Sequence, residues 1–285
     1  MTFYDLLSIS EKKLQTELNL SPSEAKRDVE DIAIYATKLS RAELLTRHDE
    51  EIGITHKAIF DKALADRING KPLQYITNSA CFFGYDFFVN ESCLIPRVDS
   101  EVLVENALQN CTHDDAKVLD LCCGSGCLGL SFAKQLAERG AQCNLIMLDI
   151  STNAIQIARL NAQKLGVKCK FVAADILRGL ALDEQFEVIF CNPPYIETDK
   201  IANLDKQVKD FEPHLALDGG EDGLKFYRAV AENLKSIIAK DGKAYFEIGY
   251  NQGQTASEIV TEKGFDVEVK KDYGKKDRCL VVSIE

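Results

Sequence analysis

Residues 119–129 read Leu119-Asp120-Leu121-Cys122-Cys123-Gly124-Ser125-Gly126-Cys127-Leu128-Gly129, and this stretch decides the fold. The apolar run Val118–Leu121 reads as a short strand, and small residues follow it as a turn. An amphipathic helix is expected near 127–138. Working outward, the same alternation recurs. Strands are expected at 145–148, 169–173, 186–191 and 244–248, with helices near 152–164 and 222–239. Strands alternating with helices predict an α/β fold whose parallel sheet carries helices on both faces. The chain ends differently, because 265–269 and 279–284 are two strands with only a loop between them. A loop without a helix predicts an antiparallel closing pair. The expectation is a seven-stranded Rossmann-like sheet, mostly parallel, with an antiparallel closing strand.

The N-terminal seventy residues have another grammar. Ser21-Pro22-Ser23-Glu24 is a capping box with Pro at the first helical position, and Ser40-Arg41-Ala42-Glu43 is a second. Val29, Ile32, Ala33, Ala36 and Leu39 recur on one helical face. Thr55 can cap a further helix, which Asn69-Gly70 and Pro72 end. These signals predict a small all-helical domain, 1–72, of four or five short helices. A linker, 73–98, follows. Its segment 80–89 is aromatic, carries Gly84 in the middle and reads as a β-hairpin. Ile95-Pro96-Arg97 is extended, since a residue before Pro avoids the α region. Asp99 is expected to cap a helix that opens the third domain, 99–285.

The 285 residues carry 34 Lys plus Arg against 45 Asp plus Glu, a net charge of −11. Such a field opposes general binding to nucleic acid. No run approaches the ~18 apolar residues of a membrane span, and the N-terminus lacks a signal peptide's basic start and apolar run. The ten cysteines are scattered and form no CxxC pair. They read as small buried thiols of a reducing, cytoplasmic environment, with no metal site.

The turn after the first strand exposes backbone amides at a helix N-terminus, and Gly124, Gly126 and Gly129 satisfy G-x-G-x-x-G. Asp149 ends the next strand, where a carboxylate can accept both hydroxyl hydrogens of a ribose. Together these features predict a ligand of the adenosine type. Dinucleotides and S-adenosylmethionine both fit. Asp120 weighs toward the second, because an acid beside the loop opposes a pyrophosphate and suits an ammonium and a sulfonium. Asp175, ending the third strand, is placed near an adenine edge or caps the turn that follows it.

Cys191-Asn192-Pro193-Pro194-Tyr195 follows the fourth strand. Ligands in open α/β sheets bind outside the carboxyl ends of the strands, so this corner faces the site formed by the first two loops. An amide or aromatic-amine nitrogen is a poor nucleophile and must be held with its lone pair aimed at a methyl carbon. The Asn192 side-chain oxygen and the Pro193 carbonyl are two acceptors able to grip both hydrogens of an NH2 group. Tyr195 can stack on the planar group. This is catalysis by orientation and electrostatics, without a titrating base.

Asn-Pro-Pro-Tyr after the fourth strand, with a Gly-rich loop after the first, resembles the amino-methyltransferases. Further motifs are Pro72-Leu73-Gln74-Tyr75-Ile76, Leu94-Ile95-Pro96-Arg97, Glu212-Pro213, Gly219-Gly220, Asp222-Gly223-Leu224 and Glu247-Ile248-Gly249. In this order and approximate spacing they resemble the peptide chain release factor glutamine methyltransferase (PrmC/HemK) family over essentially the whole chain. The resemblance implies a class I methyltransferase that moves a methyl from S-adenosylmethionine to N5 of the glutamine in a release factor's Gly-Gly-Gln loop, leaving S-adenosylhomocysteine. It implies that Cys122, Cys123, Gly124, Ser125 and Gly126 wrap the methionine part, that Asp149 holds the ribose and that Ile176 beside Asp175 lines the adenine pocket. Asn192 would touch donor and glutamine, with Pro193, Pro194 and Tyr195 completing the glutamine pocket. The helical domain would dock the release factor. The family pattern has Gly where this chain has Cys122, and a positive φ there would strain a Cys.

Three other readings compete. An adenine-N6 methyltransferase of DNA or RNA shares the corner, but the charge and the lack of a Lys/Arg-rich recognition insert oppose it. A nicotinamide oxidoreductase leaves Asn192–Tyr195 and Asp120 unexplained. An idle adaptor leaves the intact corner unexplained.

Overall fold

In the computed structural model, residues 1–180, 182 and 184–284 are described; residue 285, the end of the expected third domain, lies outside them. The chain divides into two compact units, Met1–Ser79 with Asp205–Phe211, and Ala80–Leu204 with Glu212–Glu285.

The first unit holds helices α1 (Phe3–Leu18), α2 (Pro22–Thr37), α3 (Arg41–Thr46), α4 (Ile54–Ile68) and α5 (Leu73–Thr77). The capping boxes at Ser21 and Ser40 form as expected: each hydroxyl accepts the amide three residues on, and each Glu carboxylate accepts the cap residue's own N–H. A third box at Thr2 starts α1. Thr55 caps nothing, because α4 begins a residue earlier behind Gly53. Val29, Ile32, Ala33 and Ala36 of α2 are buried against Leu14, Phe60 and Leu64. Arg67 and Asp28 form a buried ion pair in this unit. Arg67 Nε donates to Asp28 Oδ2 at 2.7 Å, and its guanidinium also donates to Gln207 Oε1 at 3.0 Å. That second bond ties the 205–211 segment into the helical unit.

The second unit opens with a hairpin of β1 (Ala80–Phe82) and β2 (Tyr85–Phe87), turned by Phe83 and Gly84 at φ 52° and 78°. Both turn residues having positive φ is the two-residue turn whose twist suits a hairpin. Then follow α6 (Glu101–Asn110), β3 (Asp115–Leu121), α7 (Cys127–Glu138), β4 (Gln142–Asp149), α8 (Thr152–Leu165), β5 (Cys169–Ala173) and β6 (Phe186–Cys191). The short helix α9 (Lys206–Lys209) belongs to the first unit, and the second continues with α10 (Lys225–Ile237), β7 (Ile238–Glu247), α11 (Gly253–Thr261), β8 (Phe265–Lys271) and β9 (Asp277–Ile284). Asp99 does not cap α6. It lies in a 3-10 turn, and its carboxylate faces Arg278 at 3.5 Å.

The seven strands are ordered β5-β4-β3-β6-β7-β9-β8, and only β9 runs antiparallel to its neighbours. The expected sheet with its single reversed closing strand is therefore the observed one. Chain order reverses direction between β3 and β6, so the crevice for a ligand is expected outside the ends of these two strands. Leu119, Leu121, Ile189 and Phe246 are buried on one face of the sheet, and Val118, Phe190 and Tyr245 on the other. Burial on both faces explains why these strands read as near-continuous apolar runs.

Removing one partner of a buried ion pair leaves an uncompensated charge, at about 3–5 kcal/mol. Arg67→Ala is expected to lower the opening free energy of α2 and α4 amides by that amount in hydrogen exchange of the full chain. Unchanged protection would mean that the pair holds nothing together.

Candidate active site

The ladder ends abruptly. Leu121 pairs with Leu148 on one side and with Cys191 on the other, and past these residues the chain must satisfy its backbone without a sheet. After β3 it turns tightly: Cys123 N–H donates to Leu148 O at 3.0 Å and Gly126 N–H to Cys123 O at 2.7 Å. Cys122 lies at φ 57°, Gly124 at 53° and Gly126 at 82°. The left-handed conformation feared at Cys122 is the one it adopts. At Gly126 glycine is required twice, because an added Cβ would also lie 2.6 Å from Met147 Cε.

A cavity of about 280 Å³ opens over these strand ends. It is lined by Cys122, Cys123, Gly124 and Ser125, by Asp149, Asp175 and Ile176, and by Asn192 and Pro194. Four expected residues stand apart from the lining. Asp120, expected to face a cation, is 1% exposed beneath the loop, and its Oδ2 accepts the Gly129 N–H at 2.9 Å. Its other oxygen has no hydrogen-bond partner, and burial pushes its pKa up to about 7. Gly126 serves as a backbone hinge. Pro193 is buried, and the Tyr195 hydroxyl turns away to donate to Glu247 Oε1 at 3.1 Å.

Asp149 lines the cavity. Its Oδ2 accepts the Gly124 N–H at 2.9 Å and its Oδ1 the Ser151 N–H at 2.8 Å. A carboxylate has about four lone-pair sites, so two bonds leave capacity for two hydroxyls. Burial raises its pKa, and the backbone donors act against that. Asp175 lines the cavity, and its Oδ1 accepts the Leu177 N–H at 3.0 Å, so it caps the turn that follows it. Ile176 is buried and apolar at the same corner. The neighbouring Cys191 thiol and burial push the Cys122 thiol well up, which makes it an inert packing group.

Two elements of the site were given no role from sequence. The Asn161 side chain, buried on α8, accepts the Phe88 N–H at 2.7 Å and donates to Phe88 O at 3.0 Å and Ser125 O at 2.9 Å. It thus ties the glycine loop to the end of the hairpin. Its signal was a lone amide within the apolar stripe Ile157, Ala158, Ala162. The second is Glu212, which is buried, accepts the Ile95 N–H at 3.2 Å and pairs with Arg97. This clamp joins the 92–97 segment to the 213–218 segment, and both line the cavity.

Residues 97–219 match the family Methyltransferase small domain, and residues 12–77 match the PrmC N-terminal domain. The release factor glutamine methyltransferase of Clostridium acetobutylicum is 36% identical over 259 residues, covering 89% of this chain and 90% of that protein. The protein so named in Bacillus subtilis is 33% identical over 261 residues, covering 89% of each. This chain belongs to the release factor glutamine methyltransferase family. A methyltransferase from Pyrococcus furiosus shares the fold, with a TM-score of 0.50 and 17% identity over 70% of this chain and 88% of that one. Within the family's fold, the Asn-Pro-Pro-Tyr corner and the glycine loop of this chain meet across one cavity.

Asp120 makes stability depend on pH. The native state holds its proton up to about pH 7, whereas an unfolded Asp releases it near pH 3.9. Between these values the native state binds more protons, so this group's contribution falls by about 1.4 kcal/mol per unit as pH rises. Asp120→Asn cannot titrate. Urea unfolding should therefore show the wild type losing ground to this variant from about pH 4 to about pH 7. Parallel curves would mean that Asp120 ionises normally.

Proposed function

We propose that this chain methylates N5 of the glutamine side chain in the Gly-Gly-Gln loop of peptide chain release factors, with S-adenosylmethionine as donor. The carrying observation is that Asn192, at the end of the strand that pairs with β3, lines the same cavity as Gly124 and Asp149. The residues present suit this donor. Asp149 keeps free lone pairs for ribose hydroxyls, Ile176 offers an apolar surface for adenine, and the 122–126 loop offers small residues for the methionine part. When bound, the donor supplies a methyl carbon made electrophilic by its sulfonium.

The chain's own part is orientation. The Asn192 side-chain oxygen, which lines the cavity, accepts an amide hydrogen of the target and so turns its nitrogen lone pair toward the cavity. The nitrogen forms one bond to carbon, the leaving sulfur keeps the electron pair of the broken bond, and the nitrogen gives up one proton to water. The helical unit carries no reactive constellation and serves to dock the release factor. The net charge of −11 favours a protein over a nucleic-acid substrate.

The test is donor-dependent labelling of a purified release factor, with the modified residue mapped by mass spectrometry. A methyl group on the Gly-Gly-Gln glutamine is expected. Labelling of DNA or RNA instead would contradict the reading. Asn192→Ala should lower single-turnover transfer at saturating donor by about 10²–10³, the usual loss for one oriented polar partner. Asn192→Asp should be less damaging, because it keeps the acceptors.

A further inference from the structure

The Asn192–Tyr195 turn cannot hold itself. Its two prolines have no N–H, and the β6 ladder stops at Cys191. Its far end is instead gripped from β7 and the loop beyond. Glu247, the last residue of β7, accepts the Tyr195 hydroxyl at 3.1 Å. Gln252 Nε2 donates to Tyr195 O at 3.0 Å, and Gln252 Oε1 accepts the Gly249 N–H at 2.9 Å. Tyr227 OH donates to Glu247 O at 2.8 Å. At Gly219 the approach is so close that an added Cβ would lie 2.7 Å from Tyr195 Cα.

Glu247 is the costly member of this set. It is 1% exposed. Burial raises its pKa, with the Ser100 hydroxyl and Arg278 acting against that. A carboxyl buried this deeply opposes its own ionisation, and it is held where its oxygen meets the Tyr195 hydroxyl. We infer that Glu247 is a positioning residue for methyl transfer: by accepting the Tyr195 hydroxyl it fixes the turn, and so sets where Asn192 holds the target amide. The inference rests on the proposed function and adds to it a residue that touches neither substrate.

The role makes a coupling claim. Glu247→Ala, Tyr195→Phe and the double variant all remove the same hydrogen bond, so the three should share one defect. A misplacement of about 1 Å can cost about 10²-fold in rate. Each variant should therefore lose about 10–100-fold in kcat on a release factor, with donor Kd, measured by calorimetry, unchanged. Glu247→Gln keeps an acceptor oxygen and should restore most of the Ala variant's loss. If the losses of the two single variants multiply in the double variant, or appear in donor Kd, the inference is overturned. It is equally overturned if Gln is as damaged as Ala, since the carboxylate's charge would then matter more than its acceptor. Wild-type kcat in the Ala variant overturns the inference alone. Absence of transfer by the wild type overturns the proposed function, and this inference with it.

Discussion

The end of the parallel ladder is the constraint on which the site depends. At Leu121 and Cys191 the adjacent strands β3 and β6 stop in register, and the backbone groups beyond them must be satisfied some other way. The chain solves this twice, differently. After β3 it coils through positive-φ positions and donates Gly124 N–H to Asp149. After β6 it places two prolines, which remove the donors that would otherwise need partners. Because both departures begin at the same level of the sheet, residues of the two irregular segments line one cavity.

That geometry sorts the polar residues into two groups. Asp149, Asp175 and Asn192 point into the cavity. Asp120, Asn161, Glu212 and Glu247 are buried outside the lining, and each accepts a hydrogen bond, from the Gly129, Phe88 and Ile95 N–H groups and the Tyr195 hydroxyl respectively. Asp120 keeps one carboxyl oxygen without a hydrogen-bond partner, and burial raises the pKa of both Asp120 and Glu247, a pattern that clusters at functional sites.

Much of this was legible in the sequence. Alternating apolar runs and amphipathic segments carry the parallel sheet, and the missing helix between the last two strands carries its reversed closing strand. The capping boxes at Ser21 and Ser40 were readable because capping is local. Asp149 and Asn192 were readable because strand ends in this fold have a known direction. What failed to show was long-range. Asp120 reads as an acid beside a loop, and only the packing of β3 against α7 turns it toward the Gly129 amide. Tyr195 reads as a stacking ring, and only the neighbouring strand end supplies the Glu247 acceptor. No local signal ties Gln207 to Arg67, so the inclusion of 205–211 in the helical unit was invisible.

The account's central claim is that the glycine loop and the Asn192 corner form one site for donor and target amide. The most direct measurement is a crystal structure of the chain with S-adenosylhomocysteine. It should place the ribose hydroxyls on Asp149, adenine against Ile176 and the sulfur on the side of the cavity that faces Asn192. A product bound elsewhere, or lying with its sulfur away from Asn192, would contradict it.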